Sequence, residues 1–417
     1  MMNSEQTSRA PGESGLVGAP LTAYRSPRFS ALPPLALYIH IPWCVRKCPY
    51  CDFNSHEARD GVPEQEYISA LTADLDSALP LVWGRRIYSV FFGGGTPSLF
   101  SSQGIDAILA TVRARLPLAS DAEITLEANP GTFEAEKFRQ FRGAGINRLS
   151  VGIQSFNPAH LKALGRIHDQ REALRAIEIA RENFNNFNLD LMYGLPQQTL
   201  EEARADIGIA LGFAPPHLSA YHLTIEPNTY FYRFPPRLPD DDAAAAMQTA
   251  IEALLAEHGY EHYETSAFAK PGARSRHNLN YWTFGDYLGI GAGAHSKLSF
   301  PDRIVRQMRY KQPRQYMQSA TTGSAIQQEQ EVSAREVGFE FMMNALRLTD
   351  GFEAGLFAER AGVPLNMVLK ELDEAERRGL ITRDHLRIAP TPLGQRFLND
   401  LLQIFLAEPG VSGKGPA

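Results

Sequence analysis

Cysteine is nearly missing from this chain: 417 residues carry three, all between positions 44 and 51. So few thiols, so tightly clustered, build no disulfide framework, and a reducing cytoplasm is the expected setting. Long apolar runs are lacking as well. None reaches the roughly 18 residues that cross a bilayer, which excludes a transmembrane helix. Basic charge is not in excess either. With 41 Lys and Arg against 47 Asp and Glu the formal charge is −6, and a general nucleic-acid binder needs a basic surface to neutralise phosphate. The first 33 residues are rich in Gly, Pro, Ala and Ser and contain no apolar h-region. They read as a disordered tail rather than a secretory signal.

What is present describes a globular α/β protein. Hydrophobic residues make up 44% and charged residues 21%, and the length calls for a large domain plus a smaller one. Runs rich in β-branched and aromatic side chains predict strands at 35–41, 87–92, 122–128, 147–153, 186–192 and 217–223. Between them the patterns at 64–79, 171–184 and 200–213 are amphipathic helices. Alternation of this kind predicts a parallel sheet with helical crossovers, six units long, and hence a partial (β/α)6 barrel. The chemically unusual segments follow the strands: PWCVRKCPYC, GGGTPS, ANP, QSFN and YGLPQQT. Loops after the strands converge on one rim, so they imply one shared site.

Past residue 224 the pattern changes. A Pro-rich stretch leads to GYEHYETSAFA (259–269), a further strand candidate, then to SRHNLNYW and YLGIGAGAHS. From about residue 331, helical patterns and a short β-wing around HLRIA suggest a winged-helix-like α+β domain. The expected organisation is a tail (1–33), a barrel core (34–235), a barrel extension (236–330) and the C-terminal domain (331–417). Residues 331–400 hold 9 Lys and Arg against 12 Asp and Glu. That balance suits a lid or interaction module better than a DNA reader.

Cys44, Cys48 and Cys51 stand at C-x3-C-x2-C. Thiolates suit zinc or an iron–sulfur cluster. Structural zinc needs a fourth ligand, for which His40 and His56 are available. Three thiolates on a barrel's catalytic rim point instead to a cluster with one open coordination position. With Tyr50 before the last cysteine, this loop resembles the signature of radical S-adenosylmethionine (SAM) enzymes. In that superfamily three cysteines hold a [4Fe–4S] cluster and SAM chelates the remaining iron.

The motifs YIHIPWC, FFGGGTPS, LEANP, LSVGIQSFN, LGRIH, LDLMYGLPQQT, RHNLNYW and GIGAGAHS resemble one branch. It comprises the oxygen-independent coproporphyrinogen III oxidases and the related HemW haem chaperones, and the likeness covers nearly everything past residue 34. It implies that Tyr38 lines the SAM pocket and that Gly94, Gly95 and Thr96 contact the SAM amino group. It likewise gives SAM contacts to Glu127, Gln154, Arg166 and Asp190. Independently, a carboxylate within the apolar run LDLMYG is costly unless paired or functional, and an Arg suits a carboxylate through a bidentate fork.

Phe53 places the chain within the branch. The oxidases carry another cysteine two residues after the last cluster ligand, and here phenylalanine stands, as in the chaperones. The HNLNYW motif belongs to the chaperones too and implies haem binding, with His277 as the axial ligand and Tyr281 and Trp282 packing on the ring. From the residues alone, the same stretch also reads as a capped helix start with its aromatics in a core. His295 is a weaker ligand candidate. The resemblance thus implies a cytoplasmic haem chaperone with a [4Fe–4S] cluster, SAM and haem. It hands haem to haem-requiring proteins, membrane-bound respiratory enzymes among the candidates, from the cytoplasm or the inner-membrane periphery, and a homodimer is compatible with it. The alternative is a coproporphyrinogen III dehydrogenase that converts propionates to vinyls.

Overall fold

The computed structural model describes residues 26–131 and 135–406. Its centre is a twelve-stranded sheet. We number the strands β1 Leu35–Ile41, β2 Ile87–Gly94, β3 Leu118–Ala128, β4 Arg148–Gln154, β5 Phe187–Tyr193, β6 His217–His222, β7 Glu261–Glu264, β8 Ala267–Ala269, β9 Asp286–Ile290, β10 His295–Phe300, β11 Arg303–Arg309 and β12 Ile326–Val332. The order across the sheet is β12-β11-β10-β9-β1-β2-β3-β4-β5-β6-β8-β7.

The six expected strands are β1 to β6, mutually parallel in sequence order. Their apolar runs are buried on both faces, as a helix-covered parallel sheet requires. Helices Glu64–Ala78, Ser102–Arg115, Ala135–Ala144, Gln170–Asn183 and Leu200–Leu211 form the crossovers. Two of them, Gln170–Asn183 and Leu200–Leu211, open with capping boxes, Asp169 with Glu172 and Thr199 with Glu202, which satisfy first-turn N–H groups.

The sheet does not stop at six. β9 adds a seventh parallel strand beside β1, and β10 to β12 continue as an antiparallel meander. On the other edge the single strand expected at 259–269 is a hairpin, β7 and β8. Buried ion pairs fix the extension. Arg309 meets Asp74 of the first crossover helix at 3.3 Å with both side chains fully buried. Lys297 of β10 meets Asp286 of β9 at 3.0 Å, and Arg85 reaches the same carboxylate at 2.8 Å. Such pairs hold register because breaking one leaves a charge uncompensated in the core.

The C-terminal unit has its own core around Phe341, Phe352, Phe357, Leu372 and Ile388. Helices Ala334–Ala345, Ala354–Ala361 and Leu369–Arg377 pack with a three-stranded sheet of Phe352–Glu353, Arg387–Pro390 and Ile381–Arg383. Of the expected tail, residues 1–25 lie outside the described residues. Its last part is seated on the protein: Arg28 N donates to Gly362 O (2.8 Å), and the Phe29 ring packs on the C-terminal core.

Candidate cluster and cofactor site

The cysteine loop follows β1, and the backbone fixes its shape before any ligand does. His56 N donates to Pro42 O (2.7 Å) and Ala58 N to Cys44 O (3.0 Å), closing a small parallel ribbon of Trp43–Cys44 with His56–Glu57. Cys51 N turns back on Cys48 O at 3.2 Å. Lys47 Nζ reaches Phe53 O (3.1 Å), and Asn54 Nδ2 donates to Ala292 O and Lys311 O, both at 2.9 Å, tying the loop to the extension.

The loop opens onto a cavity of about 410 Å³ lined by all three cysteines together with Gly94, Gly95, Thr96, Glu127, Gln154, Arg166 and Asp190. Five strands thus deliver ten of the residues singled out from the sequence to one space. The glycines after β2 are there for close approach. Gly94 has φ of 113°, and a side chain on it would meet the His40 ring at 2.5 Å; on Gly95 it would strike Trp43 O at 2.5 Å. Gln154, at φ 69°, is a non-glycine residue in left-handed conformation at the end of β4, a strain of the kind that gathers at working sites.

Two half-buried carboxyls, Glu127 and Asp190, line this cavity. Burial, and next the Asp190 charge, push Glu127 up to about 8, although Gly94 N donates to it at 3.2 Å. Asp190 is raised by burial despite hydrogen bonds from Ser150 (2.8 Å) and Asn188 (2.8 Å). A cationic ligand would relieve both. Arg166 lines the same cavity, donating to Gly152 O (2.7 Å), to Asn129 Oδ1 and to the Cys48 sulfur (3.7 Å), while its Nε is buried without a partner. Burial also raises the Cys44 and Cys51 thiols.

A second cavity, about 720 Å³, shares the wall formed by Asp52, Phe53, Ser55, Gly94 and Glu127. Tyr38 faces this space rather than the first; it donates to His40 Nδ1 (3.1 Å), and His40 Nε2 donates to Asn54 O (2.9 Å). Phe53 is 59% exposed between the two cavities.

His277 lines neither cavity. It is 1% exposed in helix Arg276–Trp282, with Nδ1 against Ser89 Oγ (2.9 Å), Nε2 against Tyr281 Oη (3.2 Å) and its ring stacked on Phe91. Its backbone N–H donates to Glu123 at 3.0 Å. The capped helix start is present, with Ser275 as the cap, and the His277 ring is buried, whereas Tyr281 and Trp282 are only half-buried. Among the residues the sequence left unmarked, Asn129 links Thr96 (2.9 Å) to Arg166; its place in the ANP loop was the available signal.

Among the described residues no three His, Cys, Asp or Glu side chains converge as a single metal ion requires. Three thiols in one loop, the orphaned Arg166 Nε and the glycine-walled approach therefore fit a cluster with a zwitterionic ligand beside it.

Comparison with known proteins agrees. The Radical SAM superfamily model matches residues 38–208, and the HemN C-terminal domain model matches 332–397. The chain is 51% identical over 381 residues to heme chaperone HemW of Escherichia coli, covering 90% of this chain and 99% of that protein. This chain belongs to the HemW family. The Haemophilus influenzae HemW is 48% identical over 383 residues, with 90% and 99% covered. A solved structure of the E. coli coproporphyrinogen III oxidase HemN, a radical SAM enzyme, superposes with a TM-score of 0.77 at 24% identity over 90% of each chain. That likeness establishes a shared fold. Membership of the radical SAM superfamily implies a [4Fe–4S] cluster and SAM for the HemW family. Among the described residues no helix is long and apolar enough to cross a membrane.

Proposed function

We propose that this protein is a haem chaperone: it holds a [4Fe–4S] cluster and SAM in the first cavity, takes up haem, and delivers it to haem-requiring proteins. The observation that carries the reading is the second cavity, which adjoins the cluster site across Phe53 and is large enough for a tetrapyrrole; pockets that enclose small-molecule ligands run from roughly 300 to 1,000 Å³. The names of the curated relatives support it.

Within the first cavity the roles follow from charge. Cys44, Cys48 and Cys51 would hold the cluster. Glu127 and Asp190 suit the ammonium end of SAM, and binding there would draw Glu127 back to its ionised form. Arg166 is the group for the carboxylate end, and Gln154 adds a polar contact. When bound, cluster and SAM supply one-electron chemistry to the site. Phe53 contributes no thiol, acid or base to the shared wall, which favours holding a tetrapyrrole over reacting with its propionates. Membrane-bound acceptor enzymes would be met at the membrane surface.

The test is anaerobic titration of cluster-replete protein with haem, alongside product analysis after incubation with coproporphyrinogen III, SAM and reductant. Stoichiometric haem uptake without vinyl products supports the proposal. Turnover above a cluster-free control would make the chain a dehydrogenase instead.

A further inference from the structure

Four imidazoles lie in or beside the second cavity, and their hydrogen bonding separates them. His40 has both ring nitrogens engaged, with Tyr38 and with Asn54 O. His277 has both engaged, with Ser89 and Tyr281, and is sealed in the core. His56 lines the space beside the Lys311 backbone, but its Nε2 is buried, without a partner and out of reach of a ligand in the open cavity. His295 differs. It is exposed on the cavity wall, and among the described residues its ring takes part in no hydrogen bond.

The backbone under His295 is firmly placed. The residue opens β10, pairs with Met308 of β11, and lies against Gly289, where a Cβ would meet His295 O at 2.0 Å. Partial burial, then Lys311, Arg306 and Arg309, lower its pKa below the ordinary imidazole value. At neutral pH the ring therefore keeps a lone pair for a metal. The same walls suit the rest of a haem. Tyr281, Tyr287 and Phe53 line the space with aromatic rings, and two ammonium groups are there for a pair of carboxylates: that of Lys311, and that of Lys47, which has N–H capacity left beyond its bonds to Phe53 O (3.1 Å) and Ser55 O (3.4 Å).

We infer that His295 is the axial ligand to haem iron in the second cavity, with Lys47 and Lys311 receiving the propionates. His277 then acts as a positioning residue. It steadies Tyr281 on the cavity wall through the 3.2 Å contact and does not touch the iron. This inference rests on the haem-binding reading above.

The experiment is an anaerobic haem titration of the full, cluster-replete chain followed by absorption and electron paramagnetic resonance. Wild type, His295→Ala, His295→Gln and His277→Ala are compared, each first shown to retain iron content and SAM binding. Wild type should give the spectrum of a nitrogen-ligated haem. Both His295 variants should lose it and bind about tenfold or more weakly, the scale on which ligand-sphere changes act. Added free imidazole should restore the spectrum in His295→Ala. The folded fraction of His277→Ala should keep the wild-type spectrum. The double variant Lys47→Glu, Lys311→Glu should keep the spectral type and lose affinity. A His295 variant with wild-type spectrum and affinity, a loss that imidazole does not repair, or a His277→Ala spectrum lacking the nitrogen ligand would each overturn the assignment. If wild type itself takes up no haem, the chaperone reading fails, whatever His295 does.

Discussion

Replacing His277 by alanine separates a core histidine from a haem ligand. The side chain is 1% exposed, stacks on Phe91 at 4.8 Å between ring centroids, and bonds Ser89 Oγ at 2.9 Å and Tyr281 Oη at 3.2 Å. Truncation removes a buried ring smaller than that of phenylalanine, for which core deletions cost about 3–5 kcal/mol, so the lower end of that range applies. It also leaves the Ser89 hydroxyl, 2% exposed, without its partner, a further penalty of about 1–3 kcal/mol. Tyr281 lines the second cavity, from which water can replace the lost bond. Because the two losses overlap, about 4 kcal/mol is the expected total. Measured by urea unfolding of haem-free protein, that is a large share of the roughly 5–15 kcal/mol that holds a domain folded.

Burial lowers His277 to about 3, with Arg148 adding to the effect. Between about 6.5 and 3 the unfolded chain takes up a proton that the folded chain refuses. The contribution of His277 is therefore complete above about 6.5 and is lost as pH falls through that window. His277→Ala should remove this part of the acid sensitivity. A variant within about 1 kcal/mol of wild type, with the acid slope unchanged, would refute the packing account.

Four other outcomes are expected. Cys44→Ala, Cys48→Ala and Cys51→Ala should each lose the cluster, seen as loss of iron and of broad visible absorption after reconstitution; full retention in all three would refute the assignment. Asp190→Ala should weaken SAM binding by about tenfold with the cluster spectrum intact, read by equilibrium binding, since removing a buried charge partner costs at least about 1.4 kcal/mol. Glu127, raised to about 8, contributes stability that is complete below about 4.5 and lost as pH rises toward 8. The Glu127→Gln protein without SAM should show a flatter decline across that window in thermal unfolding. Phe53→Cys should produce no protoporphyrinogen IX from coproporphyrinogen III, because substrate positioning depends on other loops as well.

The parallel half of the sheet was readable because strands buried on both faces must be near-continuous apolar runs, as LALYIHI and IYSVFF are. The meander was not. β12 reads IQQEQEV, is mostly exposed, and carries no apolar pattern to separate it from a polar loop. Likewise β10 buries Lys297 against Asp286, a pairing invisible without the partner strand. At the site, the cysteine spacing was legible because three ligands share one short loop. His277 shows the limit. A saturated core histidine and an open ligand look alike in sequence, and the difference lies in Ser89, 188 residues away. Conversely, His295 gains its significance from residues on other segments that leave its ring uncovered.

The most direct test of the account is haem transfer. Cluster-replete protein carrying one equivalent of haem is mixed anaerobically with a haem-free acceptor enzyme, and acceptor activity and the donor's absorption band are followed together. Delivery should activate the acceptor as the donor band falls, and faster than a haem-scavenging protein strips haem from the same donor. Release to the scavenger at the same rate as to the acceptor, or retention of haem with no activation, would contradict it.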